Sequence, residues 1–277
     1  MNRKIWFVTG ISSGFGAALA QAVMQQGDFV IGTFRKAEEV EQFNQQHKDR
    51  GLGLRMDVTQ RADIEAAFAR IEQDFGRIDV LVNNAGYGMA GAIEETSMDE
   101  VRAIFETNVF GALQVTQLAL PIMRRQKSGH ILQISSGAGF KATAGFGIYN
   151  ATKFALEGFS EALADELKPL GIHVTIVQPG PFRTRFAAGS LALAKQEIAD
   201  YTATAGVFRR RMSMIDGNQE GDPVKGAQAI IEVTKTANPP LRLPLGKVVL
   251  GNIQAKLDSV RKDMEDWREV AATVVFD

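Results

Sequence analysis

Thr9-Gly10-Ile11-Ser12-Ser13-Gly14-Phe15-Gly16 follows directly on the apolar run Ile5-Trp6-Phe7-Val8, near the start of the chain. The run does not alternate, as expected of a central parallel strand covered on both faces. Strand, glycine loop and helix in that order suit a nucleotide pyrophosphate. Glycines let the backbone come close, and the helix start offers unpaired N–H groups and positive potential. Gly10, Gly14 and Gly16 stand where such a loop needs them, although their GxxxGxG spacing lengthens the first gap of the common dinucleotide fingerprint. Taken alone, the loop is a moderate signal, the alternative being a turn that merely packs a helix on a strand.

Working outward, short apolar runs recur at 29–33, 52–56, 80–83, 130–135, 174–178 and 247–250, each read as a strand. Helical patterns lie between them. Ile64, Phe68, Ile71 and Phe75 share one helix face, Ser97 with Glu100 forms a capping pair, and Asp222-Pro223 starts a helix as N-cap and first residue. A last amphipathic helix is expected over about 252–270, followed by the apolar tail Val274-Val275-Phe276. Strands separated by helices imply βαβ units, and right-handed crossovers turn them into a doubly wound parallel α/β sheet of about seven strands. The segment 186–222 breaks the rhythm and reads as a helical lid. Its Arg209-Arg210-Arg211 reads as a solvated face, with contact to an anionic substrate as the alternative. No linker divides the chain, so 1–277 is expected to be one domain, with a cofactor half over about 1–130 and a catalytic and substrate half over about 131–277.

Composition narrows the function. Lys and Arg total 31 against 32 for Asp and Glu, so no excess charge draws the chain to nucleic acid. Cysteine is absent, which removes disulfide and thiolate chemistry, and His47, His130 and His173 have no metal-site spacing. No run approaches the roughly 18 apolar residues of a membrane span, and no secretory segment is evident, so a cytoplasmic protein is expected.

Asn83-Asn84-Ala85-Gly86 closes the fourth strand, Asn108 lies in a helix, Ser136 follows the fifth strand, and Tyr149 and Lys153 form a YxxxK pair. In these motifs, together with TGISSGFG, ISSGAG and PGPFRT in order, the sequence resembles the short-chain dehydrogenase/reductase family, closely over about 4–184. The resemblance implies a Rossmann fold and an oxidoreductase that moves hydride between a nicotinamide dinucleotide and a hydroxyl or carbonyl carbon. Tyr149 and Lys153 share a helix face. A phenol is a poor base at neutral pH, and a nearby ammonium, joined by an oxidised nicotinamide, favours its ionised form. Tyr149 is thus the expected general acid and base, Ser136 the hydroxyl that hydrogen-bonds the reacting oxygen, and Asn108 the family's fourth catalytic residue. Ser135 is its neighbour, but off the family spacing.

The cofactor residues implied are Gly10, Ser12, Ser13, Gly14, Phe15 and Gly16 in the loop, Asp57 and Val58 at the adenine, Asn83, Ala85 and Gly86, then Tyr149 and Lys153, and finally Pro179, Gly180 and Thr184. Phe34 stands where NAD-preferring relatives place an acid, and Arg35 follows, a guanidinium suited to a 2′-phosphate. NADP(H) is therefore expected, with NAD(H) possible. The branch resembled is that of bacterial proteins related to 17β-hydroxysteroid and retinol dehydrogenases, which suggests a lipophilic alcohol or ketone. Pocket walls are expected from 137–146, 89–95 and 186–214, with Phe140, Phe146, Phe182, Phe186 and Phe208 as apolar candidates. Relatives pair through long helices, so a homodimer or homotetramer is expected. The alternative function is an NADPH-binding redox sensor without turnover.

Overall fold

Ile5, Trp6, Phe7 and Val8 are all buried, which a strand achieves only with cover on both faces. The computed structural model describes residues 3–276; Met1, Asn2 and Asp277, at the ends of the expected domain, lie outside the described residues. The chain alternates β1 (Ile5–Val8), α1 (Gly14–Gln25), β2 (Phe29–Phe34), α2 (Ala37–Gln46), β3 (Gly51–Arg55), α3 (Arg61–Asp74) and β4 (Val80–Asn83). A short β5 (Gly88–Ala90) and α4 (Met98–Phe105) follow, then a π-helical turn, Glu106–Gly111, that runs into α5 (Ala112–Gln126). Next come β6 (Gly129–Ile134), α6 (Gly147–Leu167), β7 (Ile172–Pro179), α7 (Phe186–Gly189), β8 (Leu191–Leu193), α8 (Ala205–Ile215), α9 (Pro223–Val233), β9 (Arg242–Leu245), α10 (Lys247–Asp266) and α11 (Arg268–Ala272).

The main sheet is parallel throughout, in the order β3-β2-β1-β4-β6-β7-β9, as the doubly wound reading requires. β1 pairs with β2 through Ile5↔Phe29 and with β4 through Trp6↔Val80. The strand order therefore reverses direction between β1 and β4, and a crevice opens there at the carboxyl ends of the strands. Alternate residues serve two cores. Phe7, Ile31, Leu81 and Ile131 pack with Phe68 and Ile71 of α3 and Val115 of α5. Trp6, Val8, Val30 and Val82 pack on the other face with Leu19 and Val23 of α1 and Ile230 of α9. Fully burying a side chain of this kind contributes roughly 1.5–3 kcal/mol, and the edge-to-face contact of Phe7 with Phe68 at 5.3 Å shows how closely α3 seats.

The expected caps form. Ser97 Oγ accepts the Glu100 N–H while the Glu100 carboxylate accepts the Ser97 N–H, and Asp222 accepts from Val224 and Lys225 ahead of α9. The last strand is displaced from its expectation. Residues 247–250 are helical, and the strand is Arg242–Leu245, paired with β7 from Ile176↔Arg242 to Pro179↔Leu245. As an edge strand it tolerates Pro244, which lacks an N–H. Gly246, with φ of 100°, ends it, and the β-branched Val248-Val249 opens α10 instead. α10 thus starts earlier than the expected 252, and of its residues only Val249 is buried. The tail Val274-Val275-Phe276 is exposed.

Candidate active site

Thr9, at the carboxyl end of β1, is buried and organises the glycine loop. Its hydroxyl accepts the N–H groups of Asn84 at 2.9 Å and Ala85 at 3.0 Å. The Asn84 amide in turn donates to the carbonyls of Thr9 and Gly10, and Thr33 Oγ1 accepts the Gly10 N–H. This lacing decides where glycine is needed. A Cβ on Gly16 would lie 2.4 Å from Asn84 Nδ2 and 2.5 Å from the Gly10 carbonyl; Gly10, at φ 69°, would bring one within 3.1 Å of Ala85. Ser13 caps α1 without a side-chain bond, which leaves the first N–H groups of that helix directed at whatever the loop holds. Thr9, Thr33 and Asn84 were not singled out from the sequence. Asn84 stood inside the NNAG motif, but nothing in the motif says which asparagine faces the loop.

A cleft of about 1500 Å³ runs along the carboxyl edge of the sheet. The loop residues Gly10, Ser12, Ser13, Gly14, Phe15 and Gly16 form one wall, and Ala85 and Gly86 the next. At the end of the cleft beyond β2 stand Arg35, Asp57 and Val58, where the adenine is expected, with Phe34 packed on Phe43 at a ring separation of 5.3 Å. At the opposite end β7 contributes Pro179 and Gly180, and Thr184 lies across from Gly14. Asn83 departs from its expected place. Its amide is buried in the core, donating to Thr116 and Gln133, and Asn84 lines the cleft instead. The clearances at Gly10 and Gly16 fit a cradle for a dinucleotide pyrophosphate. Among the described residues no acidic or histidine cluster could hold a metal ion, and no helix is long and apolar enough to cross a membrane.

The four candidate catalytic residues come from three elements. Ser136 follows β6 and caps a short 3-10 turn, where its hydroxyl accepts the Ala138 N–H at 3.1 Å. Ser135 is already engaged, donating to the buried Glu157 at 2.7 Å. Tyr149 and Lys153 lie one turn apart on α6, with the ammonium 5.7 Å from the phenol ring centre and donating to the Ile134 carbonyl at 2.8 Å. Asn108 sits in the π turn, beneath the cleft and not on its surface. Its amide bonds the Tyr87 backbone in both directions and donates to Thr152. A Cβ on Gly86 would lie 2.9 Å from the Asn108 oxygen and 3.8 Å from the Lys153 nitrogen, so these groups converge behind Gly86. A π turn inserted in a helix is a frequent mark of a functional site.

Burial governs the electrostatics. It pushes the Tyr149 phenol above its ordinary value, with the Ser136 hydroxyl pulling the other way. It lowers Lys153 to about 8, against the carboxylate of Glu157. In the protein alone desolvation is thus the leading influence on Tyr149, whereas the expected depression belongs to the site with an oxidised nicotinamide bound. Glu157, one turn beyond Lys153, also accepts both bonds of the Gln178 amide and faces Arg242. This network was missed in the sequence, where the single available signal was the spacing from Lys153.

The cleft is also lined, on the Tyr149 side, by Phe146, Phe186 and Phe208, with Leu191, Met212 and Ile215. Phe182 faces Phe15 beside the cofactor loop, and Phe140 lies in a separate groove with Phe154 and Arg242. Residues 89–95 do not form wall. They anchor the lid: β8 pairs with β5, and Glu95 accepts from Ala92, Ile198 and Arg209. Arg209 consequently departs from the solvated face expected of it, with a side chain 10% exposed and bonded to Glu95 and Glu197. Arg210 and Arg211 are both exposed, and Arg211 also lines the cleft.

Comparison with known proteins agrees with this geometry. The family described as short chain dehydrogenase matches residues 4–192. An oxidoreductase of Botryotinia fuckeliana is 37% identical over 269 residues, covering 97% of this chain and 98% of its own. A protein of Bacteroides thetaiotaomicron named 3-ketodihydrosphingosine reductase is 37% identical over 252 residues, 90% of each chain. The crystal structure of a short-chain dehydrogenase from Streptomyces avermitilis superposes with a TM-score of 0.93 at 42% identity, over 99% of both chains. The chain belongs to the short-chain dehydrogenase/reductase family and is an NAD(P)-dependent oxidoreductase.

Proposed function

We propose that the chain is an NADP(H)-preferring oxidoreductase that interconverts a hydroxyl and a carbonyl on a lipophilic small molecule, with Tyr149 as general acid and base. The observation that carries this reading is the placement of the Tyr149 phenol, buried between Phe146 at 4.3 Å and Phe186 at 6.0 Å, in the cleft that Ser136 and Lys153 also line. When bound, the dinucleotide supplies or accepts the hydride. A phenol held protonated by burial can give its proton to a carbonyl oxygen in the reducing direction. The Ser136 hydroxyl hydrogen-bonds the same oxygen as charge develops there. Lys153, fixed on the Ile134 carbonyl, restrains the phenolate that remains, and Asn108 holds the Tyr87 backbone and Thr152 in place behind it.

Arg35 supports the phosphorylated cofactor, because its exposed guanidinium lines the adenine end beside Lys36 and the position before it is the apolar Phe34. The aromatic wall supports a lipophilic substrate, in keeping with the likeness to 17β-hydroxysteroid and retinol dehydrogenases and with the ketone in the name of the Bacteroides relative. We read residues 1–277 as one domain that assembles as a homodimer or homotetramer through α5 and α6, whose neighbourhoods expose Phe110 and Phe154. The test is nicotinamide absorbance with purified protein, NADPH against NADH, over a panel of ketones and aldehydes. Turnover with NADPH that disappears in Tyr149→Phe, with cofactor binding kept, supports the reading. Tight NADPH binding with no turnover on any carbonyl overturns it.

A further inference from the structure

α8 turns a single face to the cleft: Phe208, Arg211, Met212 and Ile215 all line it, at the i, i+3, i+4, i+7 spacing of one helical stripe. Three of the four are apolar and the fourth is an arginine. Phe208 is seated at the catalytic end, its ring 4.8 Å from Phe146, which itself stacks on Tyr149. Arg211 lies about one turn, ~5 Å, further along the helix axis. Arg209, two residues back and thus on the opposite side of the helix, is consumed by Glu95 and Glu197, so the three arginines divide into one structural anchor, the exposed Arg210 and one cation at the cleft.

Arg211 is without a countercharge among the described residues. Lys141 and Arg185 line the same cleft, and none of the three has a carboxylate partner among the described residues. Of the carboxylates that line the cleft, Glu39 lies on α2 beside Arg35 and Asp57 in the turn after β3, while Glu106 lies in the π turn; none is paired with Arg211. Around the lid, Glu94 accepts from Tyr201, Glu95 from Arg209 and Glu100 from the Lys195 N–H, and of the lid's own acids Glu197 pairs with Arg209 while none pairs with Arg211 among the described residues. An exposed guanidinium at the edge of an apolar stripe, with no ion-pair partner among the described residues, is matched to a planar or tetrahedral anion.

We propose that the substrate is amphipathic and anionic, with a carbonyl or hydroxyl at Tyr149, an apolar body along Phe146, Phe208 and Met212, and a carboxylate or phosphate met by Arg211 with Lys141. This rests on the oxidoreductase reading above and narrows its substrate class. Arg211 is a specificity-determining residue and takes no part in proton transfer.

The test compares medium-chain oxo acids with their methyl esters as substrates, in the wild type and in Arg211→Gln and Arg211→Lys. The wild type is expected to favour acid over ester by tenfold or more in kcat/KM. Arg211→Gln should abolish that preference through KM for the acid, leaving the ester and the NADPH Kd unchanged, and Arg211→Lys should restore part of it. Equal use of acid and ester by the wild type, an equal loss of both in Arg211→Gln, or a weakened NADPH Kd overturns the proposal. A second arm needs no turnover. It measures binding of a medium-chain fatty acid, its methyl ester and an alkyl phosphate to the NADP+-loaded protein. Arg211-dependent binding of either anion over the ester supports the proposal even where the oxidoreductase reading fails, and its relative strength distinguishes carboxylate from phosphate. Binding that is indifferent to Arg211 overturns it.

Discussion

Glu157 lies one helical turn beyond Lys153 on α6, and its carboxylate, 3% exposed, accepts the Ser135 hydroxyl at 2.7 Å and the Gln178 amide at 3.0 Å. The residue therefore ties α6 to the ends of β6 and β7 while holding a negative charge near an ammonium that burial drives down to about 8. Removing the charge removes the one influence that opposes desolvation. In Glu157→Gln the Lys153 pKa falls further, so the alkaline limb of kcat moves to lower pH. A pH–kcat profile checks this. A loss of kcat that is uniform across pH would mean that Glu157 serves the fold alone.

Arg35 is the proposed discriminator between the two dinucleotides. A charge-assisted hydrogen bond is worth about 1.5–3 kcal/mol, so Arg35→Glu should weaken NADPH binding by roughly 10- to 100-fold and improve the use of NADH. Fluorescence titration with both cofactors reads the change. Unaltered preference would reassign Arg35 to the solvent surface, where its exposure would then be sufficient explanation.

Gly16 tests the cradle. A methyl group there meets the Gly10 carbonyl at 2.5 Å, and backbone cannot swing aside as a side-chain tip can. Gly16→Ala should raise the NADPH Kd by more than about tenfold, the effect of a loop shifted off its ligand, while circular dichroism remains that of the wild type. Gly14→Ala, where the nearest atom is Thr184 Cβ at 3.7 Å, probes the backbone instead, because its φ of 62° is the obstacle.

The sheet and the cleft were legible because they rest on local patterns: uninterrupted apolar strands, glycines after β1, and YxxxK on one helix face. What escaped the sequence depends on long-range partners. Asn83 and Asn84 are identical as letters, and only the packing of Thr116 and Gln133 beside β4 draws the first into the core. Arg209 to Arg211 read as one cluster, yet the helix sends successive residues about 100° apart, and Glu95, distant in sequence, selects the first. The strand at 242–245 was hidden by Pro244 within it and Pro239-Pro240 before it, and Val248-Val249 imitated one.

The Glu95–Arg209 pair anchors α8 to the segment after β5, with both side chains buried. Removing one partner of such a pair typically costs about 3–5 kcal/mol, since the remaining charge is left without compensation. Arg209→Met should accordingly loosen the lid, raising substrate KM and exposing 195–215 to limited proteolysis. Glu95→Gln combined with Arg209→Met should recover much of the stability in urea. Destabilisation that is additive in the double variant would show that the two side chains act independently.

His130, in β6, is buried with its Nε2 2.9 Å from Thr175 Oγ1. Desolvation first, then the charges of His173 and Lys4, lower its pKa from 6.5 to about 3. The native protein thus keeps the ring neutral where the unfolded chain takes up a proton. Its contribution to stability is complete above pH 6.5 and declines as pH falls toward about 3, because over that interval the unfolded state binds the extra proton. His130→Gln retains a polar side chain without a group that titrates there. The variant should be less stable than the wild type at neutral pH through altered packing, yet lose less between pH 7 and pH 4. Urea unfolding across that range reads the two slopes, and parallel slopes would place the acid sensitivity elsewhere, in the carboxylates.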